Sequence, residues 1–500
     1  MDTHFLPILT TARVRALDQH ASAVVGIPGY VLMCRAGQAV VDQLQSTWPR
    51  ARGILVVAGP GRNGGDGYVV ARLLRQRGLA VSVVAPMGLP QQGDARRAYD
   101  DFCAAGGQIC TNARLTFDAS EVVVDALLGT GLSRDVVGVA LAAIRAMNAS
   151  GLPILAVDTP SGLDTDTGHP RPEAVLATQT LTFVADKVGF YLGLGPDYVG
   201  QTRVDGLGLP AALTRNQASV LAPIPDVLVA RCLPRRRRSA HKGTHGRVVI
   251  VGGGPGMPGA VRLAGEAALR VGAGLVTVVT HPSHAAAIAM ACPELICLGL
   301  DGSGSVRGLL ESADVVAVGP GLGQTAWARD LYGEALACGR PLVVDADALN
   351  LLAADPVRRT DWILTPHPAE AGRLLGRSTA DVQADRLHAL ADLVHRYGAT
   401  VVLKGARSLV GAPGLVTPWL CLAGNPGMAT AGMGDVLTGV IAGIAAQQDH
   451  AHHARADTAA VGVQVHAKAG DFIAYAKAYA EERGFLASDL LGALRAQVNP

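Results

Sequence analysis

Two aspartates, Asp158 and Asp435, have the sequence surroundings of acid–base residues in enzymes. Asp158 follows an apolar run and precedes a Thr-Pro-Ser-Gly turn, whereas Asp435 follows Gly-Met-Gly and precedes a helical pattern. A carboxylate at the carboxyl end of a parallel strand projects into the ligand crevice, and one at a helix start can take a proton from a bound hydroxyl. Isolated aspartates at such places also serve as helix caps or turn formers, so the neighbouring motifs must decide.

Two glycine-rich segments, 59–67 and 425–435, supply such motifs. Each lies between an apolar run of strand type and a helical pattern, where backbone N–H groups meet phosphates in α/β proteins. We expect the first segment to be a loop whose glycines adopt positive φ angles and admit a pyrophosphate. It differs from the G-x-G-x-x-G fingerprint, and a purely structural turn stays an alternative. The two segments predict two anion sites in one chain.

Three oxygen-bearing side chains follow predicted strands of the first half: Asn63, Asp125 and Ser161. Because they include no thiolate or imidazole, they suit a cation such as K⁺ or Mg²⁺ better than zinc. The eight cysteines show neither C-x-x-C pairs nor zinc-type spacing. This pattern predicts a reducing, cytoplasmic environment.

The elements that must position these residues alternate between strand and helix patterns in both halves of the 500-residue chain. This alternation predicts an α/β fold with mostly parallel sheets and helices on both faces. The proline-containing segment 213–238 interrupts it, so we place domains at 1–220 and 241–500 with a linker at 221–240. The predicted strands are 53–58, 80–85, 121–125, 153–158 and 179–183 in the first domain, and 248–251, 275–280, 315–318, 341–345, 362–365 and 400–404 in the second.

The formal net charge of +2 is small, and both signs are dispersed along the chain. It favours neither nucleic-acid nor membrane binding. The basic run 235–238 is interpreted as a solvated linker, with a nucleic-acid patch as the alternative. No apolar stretch has the length of a membrane span, and the N-terminus lacks the apolar core of a signal peptide.

Several motifs of the first half occur together: Ile27-Pro28-Gly29, Arg35-Ala36-Gly37, Asn63-Gly64-Gly65-Asp66-Gly67, 124–131 and 158–162. Together they resemble the NAD(P)H-hydrate epimerase domain over residues 1–215. The resemblance implies a Rossmann-like αβα domain, catalysis by Asp158 and K⁺ held by Asn63, Asp125 and Ser161. The residues it assigns to the hydrated dinucleotide are Arg62, Asn63, Gly64, Gly65, Asp66, Gly129, Thr130, Gly131, Leu132, Ser133, Arg134, Asp135 and Asp158. Arg62 departs from the asparagine common in the family, and Cys34 replaces a residue that is often acidic.

Four motifs of the second half, 345–350, 365–370, 404–408 and 425–430, resemble the NAD(P)H-hydrate dehydratase domain from Lys242 to the C-terminus. The resemblance implies a ribokinase-like αβα fold with Asp435 as the catalytic base. It assigns substrate binding to Ala260, Gly323, His367 and Asp435, and nucleotide binding to Lys404, Gly405, Ala406, Arg407, Ser408 and Gly434. Outside this motif, His367 would be interpreted as a loop or core histidine.

The two resemblances imply a bifunctional repair enzyme that epimerises NADHX and NADPHX and dehydrates the S epimers, using ADP and Mg²⁺ and releasing AMP and phosphate. The residues alone do not separate ADP from ATP. A homo-oligomer is expected for such enzymes. The alternatives are a small-molecule kinase with an N-terminal nucleotide sensor, a non-catalytic nucleotide-binding scaffold, and a chain with one active domain.

Overall fold

The computed structural model describes residues 6–111, 115–132, 134–215, 217–301, 305–448, 454–476 and 481–499. The chain forms two compact units, Met1–Leu221 and Ala222–Pro500. Each unit is built on its own sheet, as the alternating pattern predicted. No helix in the described ranges combines the length and apolarity needed to cross a membrane.

The first unit contains seven helices and nine strands in its described residues. The helices are α1 (Thr11–Ala23), α2 (Gly29–Thr47), α3 (Arg62–Gln76), α4 (Gly93–Ala104), α5 (Gly138–Ala149), α6 (Gly195–Val199) and α7 (Ala211–Arg215). The strands are β1 (Ile8–Leu9), β2 (Gly53–Ala58), β3 (Ala80–Val84), β4 (Ile109–Cys110), β5 (Val122–Ala126), β6 (Ile154–Val157), β7 (Gln179–Phe183), β8 (Asp186–Lys187) and β9 (Gln201–Asp205).

Its main sheet has the order β4-β3-β2-β5-β6-β7-β9, and every neighbouring pair is parallel. Side chains of β2 alternate between two apolar clusters, so that Val56 packs on one face and Val57 on the other. Strand order reverses between β2 and β5, and the loops after these strands form the crevice in which doubly wound sheets bind ligands. The first candidate site lies there.

The predicted glycine loop of the first unit is wrong in one respect. Helix α3 already begins at Arg62, and none of the glycines between 59 and 67 has a positive φ angle. They permit close packing instead: a Cβ on Gly64 would lie 1.8 Å from the Gly59 carbonyl oxygen, and one on Gly67 would lie 2.7 Å from the Ala126 side chain. Glycine is required here because helix α3 starts directly against the strand ends.

The second unit contains twelve helices and ten strands in its described residues. The helices are α8 (Asp226–Cys232), α9 (Pro258–Arg270), α10 (Pro282–Ala291), α11 (Arg307–Glu311), α12 (Ala326–Ala337), α13 (Ala346–Ala354), α14 (Pro368–Leu375), α15 (Thr379–Ala384), α16 (Arg386–Tyr397), α17 (Met433–Ala446), α18 (Arg455–Ala474) and α19 (Ala487–Gln497). The strands are β10 (Ala222–Pro223), β11 (Arg247–Val251), β12 (Leu275–Thr280), β13 (Ile296–Gly299), β14 (Val315–Val318), β15 (Leu342–Val344), β16 (Trp362–Leu364), β17 (Thr400–Leu403), β18 (Leu409–Gly411) and β19 (Trp419–Leu420).

Its sheet has the order β10-β19-β18-β17-β16-β15-β14-β11-β12-β13. In this order, the seven strands from β17 to the edge strand β13 are parallel, whereas β18 pairs antiparallel with both of its neighbours. Helix α17 is almost wholly buried against the sheet, which explains its nearly continuous apolar sequence from Val436 to Ala446. Its N-terminus is thereby held at the carboxyl ends of the strands.

The predicted linker 221–240 is corrected by the structure. Strand β10 pairs with β19, and helix α8 buries Leu228 and Val229 in the core of the second unit. The basic run is exposed, but Arg236 Nη2 donates hydrogen bonds to the Gly272 carbonyl and to Gln447 Oε1 at 2.5 and 2.7 Å. Most of this segment is therefore part of the second unit rather than a solvated connection.

Candidate active sites

A cavity of about 960 Å³ opens at the carboxyl ends of β2, β5 and β6 in the first unit. Helices α1 and α2 close its other sides. Of the residues predicted to bind the dinucleotide, the cavity is lined by Arg62, Asn63, Asp66, Gly129, Thr130, Gly131, Leu132, Arg134, Asp135 and Asp158. Gly64 and Gly65 do not line it, because they pack beneath it against Gly59 and Met33. Ser133 lies outside the described residues.

Asp158 occupies the cavity floor with a left-handed backbone, φ 64°. This rare conformation for a non-glycine residue turns the chain sharply after β6. Its Oδ1 accepts hydrogen bonds from the Phe183 amide at 3.2 Å and from the ammonium of Lys187 at 2.6 Å. Lys187 is fully buried and also donates to the Thr182 hydroxyl and the Phe183 carbonyl. The ion pair therefore fixes the Asp158 carboxylate at one place in the cavity.

Three further carboxyl groups, Asp18, Asp66 and Asp135, line the same cavity. Burial raises the pKa of Asp66 well above its ordinary value, and the negative charge of Asp158 raises it further. Burial and Asp158 also raise the pKa of Asp18, while Arg62 and Lys187 oppose the rise. Neighbouring acids whose surroundings shift their pKa values are typical of proton-transfer sites.

The predicted cation ligands Asn63, Asp125 and Ser161 converge on the turn after β5. Ser161 Oγ donates to Asp125 Oδ1 at 2.6 Å and accepts from the Leu128 amide at 2.7 Å, while Asn63 Nδ2 donates to the Leu128 carbonyl at 2.9 Å. Asp125 is fully buried, and its burial raises its pKa to about 6 despite hydrogen bonds from Ser161 and Leu127.

No Lys, Arg or His forms a salt bridge with Asp125 within the described ranges. A buried carboxylate without such a partner, beside hydroxyl and carbonyl oxygens, fits a large monovalent cation. In the same ranges, no group of three or more His, Cys, Asp or Glu side chains is arranged to hold a metal ion.

In the second unit, Asp435 lies in the first turn of α17, after Gly432 with φ 88°. Burial raises the pKa of Asp435 to about 7; the charges of Asp345, Asp347 and Glu370 raise it as well, and Lys404 opposes them. A carboxylate of this pKa is suited to accepting a proton near neutral pH. The N-terminus of α17 supplies amides and dipole for a transferring phosphate.

Lys404 connects the other acids of this site. Its Nζ lies 2.7 Å from Asp345 Oδ1 and 3.7 Å from Glu370 Oε2, and the hydroxyl of Thr438 donates to Asp345 Oδ2 at 2.7 Å. Burial opposes the charge on Lys404, but Asp345 and Glu370 outweigh it and raise the pKa of the lysine. A Cβ placed on Gly434 would lie only 3.3 Å from Lys404 Nζ, so β17 and the start of α17 meet here.

His367 caps helix α14 in a reciprocal arrangement with Glu370. Its Nδ1 accepts from the Ala369 and Glu370 amides, and Glu370 Oε2 accepts from the His367 amide at 2.7 Å. Burial lowers the pKa of His367, although Glu370 opposes this effect. The ring is therefore oriented by its own helix, with Nε2 lying 3.4 Å from Glu370 Oε1.

The remaining predicted residues lie on three segments of the second unit. Ala260 is in the first turn of α9, near Gly321, and the Gly323 amide donates to Asp347 Oδ2 at 2.8 Å. Residues 404–408 form the turn between β17 and β18, where Arg407 has φ 59°. These segments follow β11, β14 and β17, so they lie at the same strand-end edge as Asp435.

Asp18, Lys187, Asp345 and Thr438 were not predicted as site residues, although they contribute directly to the two networks. Asp18 follows Leu17 on the buried stripe of α1, and a charged residue beside that stripe is a signal that could have been noticed. Lys187 carries a weaker signal, because its strand β8 has only two residues. Asp345 and Thr438 belong to motifs already selected, but their pairing is visible only in the fold.

Two αβα units, one with an acidic dinucleotide-sized cavity and one with an anion-binding helix start, define a two-domain α/β enzyme of nucleotide chemistry. Residues 29–189 match the family model for the YjeF-related protein N-terminus, and residues 248–492 match that for NAD(P)H-hydrate dehydratase. The chain belongs to the family of bifunctional NAD(P)H-hydrate repair enzymes.

Relatives of full length support this assignment. The bifunctional NAD(P)H-hydrate repair enzyme Nnr of Coxiella burnetii is 44% identical over 489 residues, covering 98% of both chains. The enzyme of the same name from Escherichia coli is 41% identical, covering 97% of this chain and 93% of the relative. A ribokinase-like superfamily protein from Enterococcus faecalis has a TM-score of 0.51 and 28% identity, covering 57% of this chain and 97% of its own. The predicted epimerase and dehydratase activities are confirmed at the level of the family, and the kinase and scaffold alternatives are set aside.

Proposed function

We propose that the cavity of the first unit epimerises NADHX and NADPHX, with Asp158 and Asp66 exchanging protons with the C6 hydroxyl. Asp66 donates a proton to the hydroxyl, water leaves, and the ring nitrogen stabilises the cation that forms at C6. Asp158, the partner of the Lys187 ammonium, accepts a proton when water returns to the other face. The acidic cluster around the Lys187–Asp158 pair is the observation that supports this assignment.

The dinucleotide would be held by the residues that line the cavity around the start of α3 and the turn at 129–135. Arg62 lies at the helix start, where a phosphate is favoured by the helix dipole and by the guanidinium. Leu132, Val136 and Val137 supply apolar surface for the nicotinamide-derived ring. Gly64 and Gly65 act through packing rather than contact.

Asn63, Asp125 and Ser161 would hold K⁺ beside the turn at Leu128. When bound, K⁺ would compensate the buried charge of Asp125 and stiffen the turn that leads to Gly129 and Thr130. Its role is positional and electrostatic, and the proton transfers remain with Asp66 and Asp158.

In the second unit, Asp435 would accept the proton of the C6 hydroxyl of S-NAD(P)HX while that oxygen takes a phosphoryl group from ADP, releasing AMP. Loss of phosphate from C6 and of a proton from C5 then restores the dihydronicotinamide. The amides at the start of α17, Gly434 among them, would stabilise the transferring phosphate. Ala260, Gly323 and His367 would contact the substrate.

The turn 404–408 would bind ADP, with Lys404 near the phosphates. Asp345, Asp347 and Glu370 surround Asp435, and Lys404 is the lysine that opposes their charge, which fits a divalent cation that enters with the nucleotide and is held mainly by its phosphates. Mg²⁺, near Glu370, would neutralise charge on the phosphates when bound. ADP is the proposed phosphoryl donor. A comparison of the dehydration rates with ADP and with ATP tests this choice.

We further propose a cytoplasmic homo-oligomer that acts on small molecules without nucleic-acid or membrane partners. The eight cysteines are all free thiols, as expected for a reducing compartment.

The test is recovery of absorbance near 340 nm from mixed R- and S-NADHX with ADP, Mg²⁺ and K⁺. The intact chain should convert both epimers, Asp158→Asn only the S fraction, and Asp435→Asn neither. Chromatography of the epimers without ADP should show that Asp435→Asn still interconverts them. Full conversion by Asp158→Asn would remove that residue from the mechanism, and failure of the intact chain with either nucleotide would overturn the proposal.

A further inference from the structure

Arg386 is a buried arginine that binds the main chain of the turn 404–408. It is 3% exposed at the first position of α16, whose start is capped by Asp385. Its Nη1 donates to the Ala406 and Arg407 carbonyls at 2.8 and 3.3 Å, and its Nη2 donates to the Leu403 and Lys404 carbonyls at 3.2 and 3.4 Å. One side chain thus holds four carbonyl oxygens of β17 and the turn after it.

Among the described residues, no carboxylate neutralises the charge of this guanidinium. In the described ranges Arg386 forms no salt bridge, and burial lowers its pKa to about 10, which leaves it charged at neutral pH. A buried charge without a counter-ion is costly, so its retention indicates a use beyond packing. The planar fork of arginine can serve several carbonyls at once, which an ammonium cannot reproduce.

The carbonyls held by Arg386 leave the amides of the turn free. Within the described ranges, the backbone N–H groups of Gly405, Ala406 and Arg407 donate to no protein acceptor. Gly405 has φ 144° and Arg407 has φ 59°, two conformations that orient successive amides away from a regular strand. Gly405 and Ala406 are exposed. Successive free amides of this kind form an anion-binding nest.

We propose that Arg386 is a positioning residue for nucleotide binding: it holds the carbonyls of residues 403–407 on the inner side of the turn so that the amides of 405–407 face the phosphates of ADP. This inference rests on the proposed role of 404–408. Arg386 itself does not touch the nucleotide. A Cβ on Gly405 would lie 3.1 Å from Arg386 Nη2, so turn and guanidinium are in direct contact.

The experiment compares Arg386→Ala and Arg386→Lys with wild type in the full-length enzyme, measuring KM for ADP and for S-NADHX separately. The matched control is Arg359→Ala, because Arg359 also donates to two carbonyls, those of Leu336 and Arg340, but is paired with Asp361. We expect Arg386→Ala to raise KM for ADP about tenfold or more and to change KM for S-NADHX less than about twofold. Millimolar guanidinium, but not urea, should restore KM for ADP in Arg386→Ala.

An unchanged KM for ADP in Arg386→Ala, or equal increases in both KM values without guanidinium rescue, would overturn the proposal. If Arg386→Ala does not fold, Arg386→Lys decides the question, since it keeps the charge and loses the fork. It should show the same selective rise in KM for ADP, and a wild-type value would overturn the proposal. Ser408→Ala separates the failure of this inference from the failure of the proposed function. If Ser408→Ala raises KM for ADP and the Arg386 variants do not, residues 404–408 still bind the nucleotide but Arg386 does not position them. If neither residue affects KM for ADP, both proposals are overturned.

Discussion

The ammonium of Lys187 lies 2.6 Å from the carboxylate of Asp158, and the lysine side chain is completely buried. Lys187 belongs to the short strand β8, which pairs with β1, whereas Asp158 follows β6. The pair therefore joins the floor of the epimerase cavity to a second, small sheet. Its geometry makes Lys187 the structural support of the proposed proton acceptor.

Replacing Lys187 by methionine should abolish the R-to-S interconversion of NADHX while dehydration of pure S-NADHX continues. Removal of the lysine leaves the partly buried carboxylate of Asp158 without its ammonium partner, and the loss of rate should be about 100-fold or more. Epimer chromatography without ADP measures it. Arg145→Met is the control, because its salt bridge with Glu173 is exposed. Normal epimerisation by Lys187→Met would contradict the assigned role.

Exchange of K⁺ for tetramethylammonium at constant ionic strength should slow epimerisation and leave dehydration of S-NADHX less affected. The expected cause is the uncompensated charge of Asp125 beside Ser161 and Leu128. Asp125→Asn should remove the dependence on K⁺, since no charge then requires compensation. The measurement is the epimerisation rate as a function of K⁺ concentration. A K⁺ response of Asp125→Asn equal to that of wild type would reject this site.

Thr438→Val should lower both stability and the kcat of dehydration. Asp345 is 1% exposed and would lose the hydroxyl donor to its Oδ2, at a cost of about 1–3 kcal/mol. Urea unfolding and steady-state kinetics measure the two effects. Thr458→Val is the matched control, because the buried hydroxyl of Thr458 donates a hydrogen bond to Gln448, away from the site. Thr458→Val should lose stability but keep the wild-type kcat. If both variants lose kcat to the same extent, the role of Thr438 is packing alone.

Asp435→Asn should stabilise the second unit increasingly as the pH rises. The folded-state pKa of about 7 exceeds the ordinary 3.8, so native Asp435 binds its proton more tightly than the unfolded chain does. The stability contributed by this group is complete below the ordinary value and is lost as the pH rises through about 7. Relative to wild type, the variant should gain about 2–3 kcal/mol between pH 5 and pH 8.5.

Urea unfolding in Mg²⁺-free buffer, followed by tryptophan fluorescence in a Trp48→Phe background, reports the second unit, because the other three tryptophans lie there. Asp330→Asn, at an exposed position of α12, is the control and should show no such trend. A pH-independent difference between Asp435→Asn and wild type would refute the raised pKa.

The local sequence pattern was sufficient to predict many of the strands and helices. The predicted strands 53–58 and 179–183 coincide with β2 and β7, because buried parallel strands are short apolar runs between helical segments. It was insufficient at 59–67, where glycine signalled close packing against β5 rather than positive φ angles. It also failed at 221–240, where prolines and arginines concealed β10 and α8.

By itself, the sequence determined the alternation of strands and helices, the strand-end positions of Asp125 and Asp158, and the helix start at Asp435. These are local properties, set by side-chain periodicity and by the residues that begin and end each element. Only the tertiary structure decided which distant residues meet, because the order of strands in a sheet is not encoded in any one segment. The pairs Lys187–Asp158 and Lys404–Asp345, and the hold of Arg386 on the turn after β17, arise from that order.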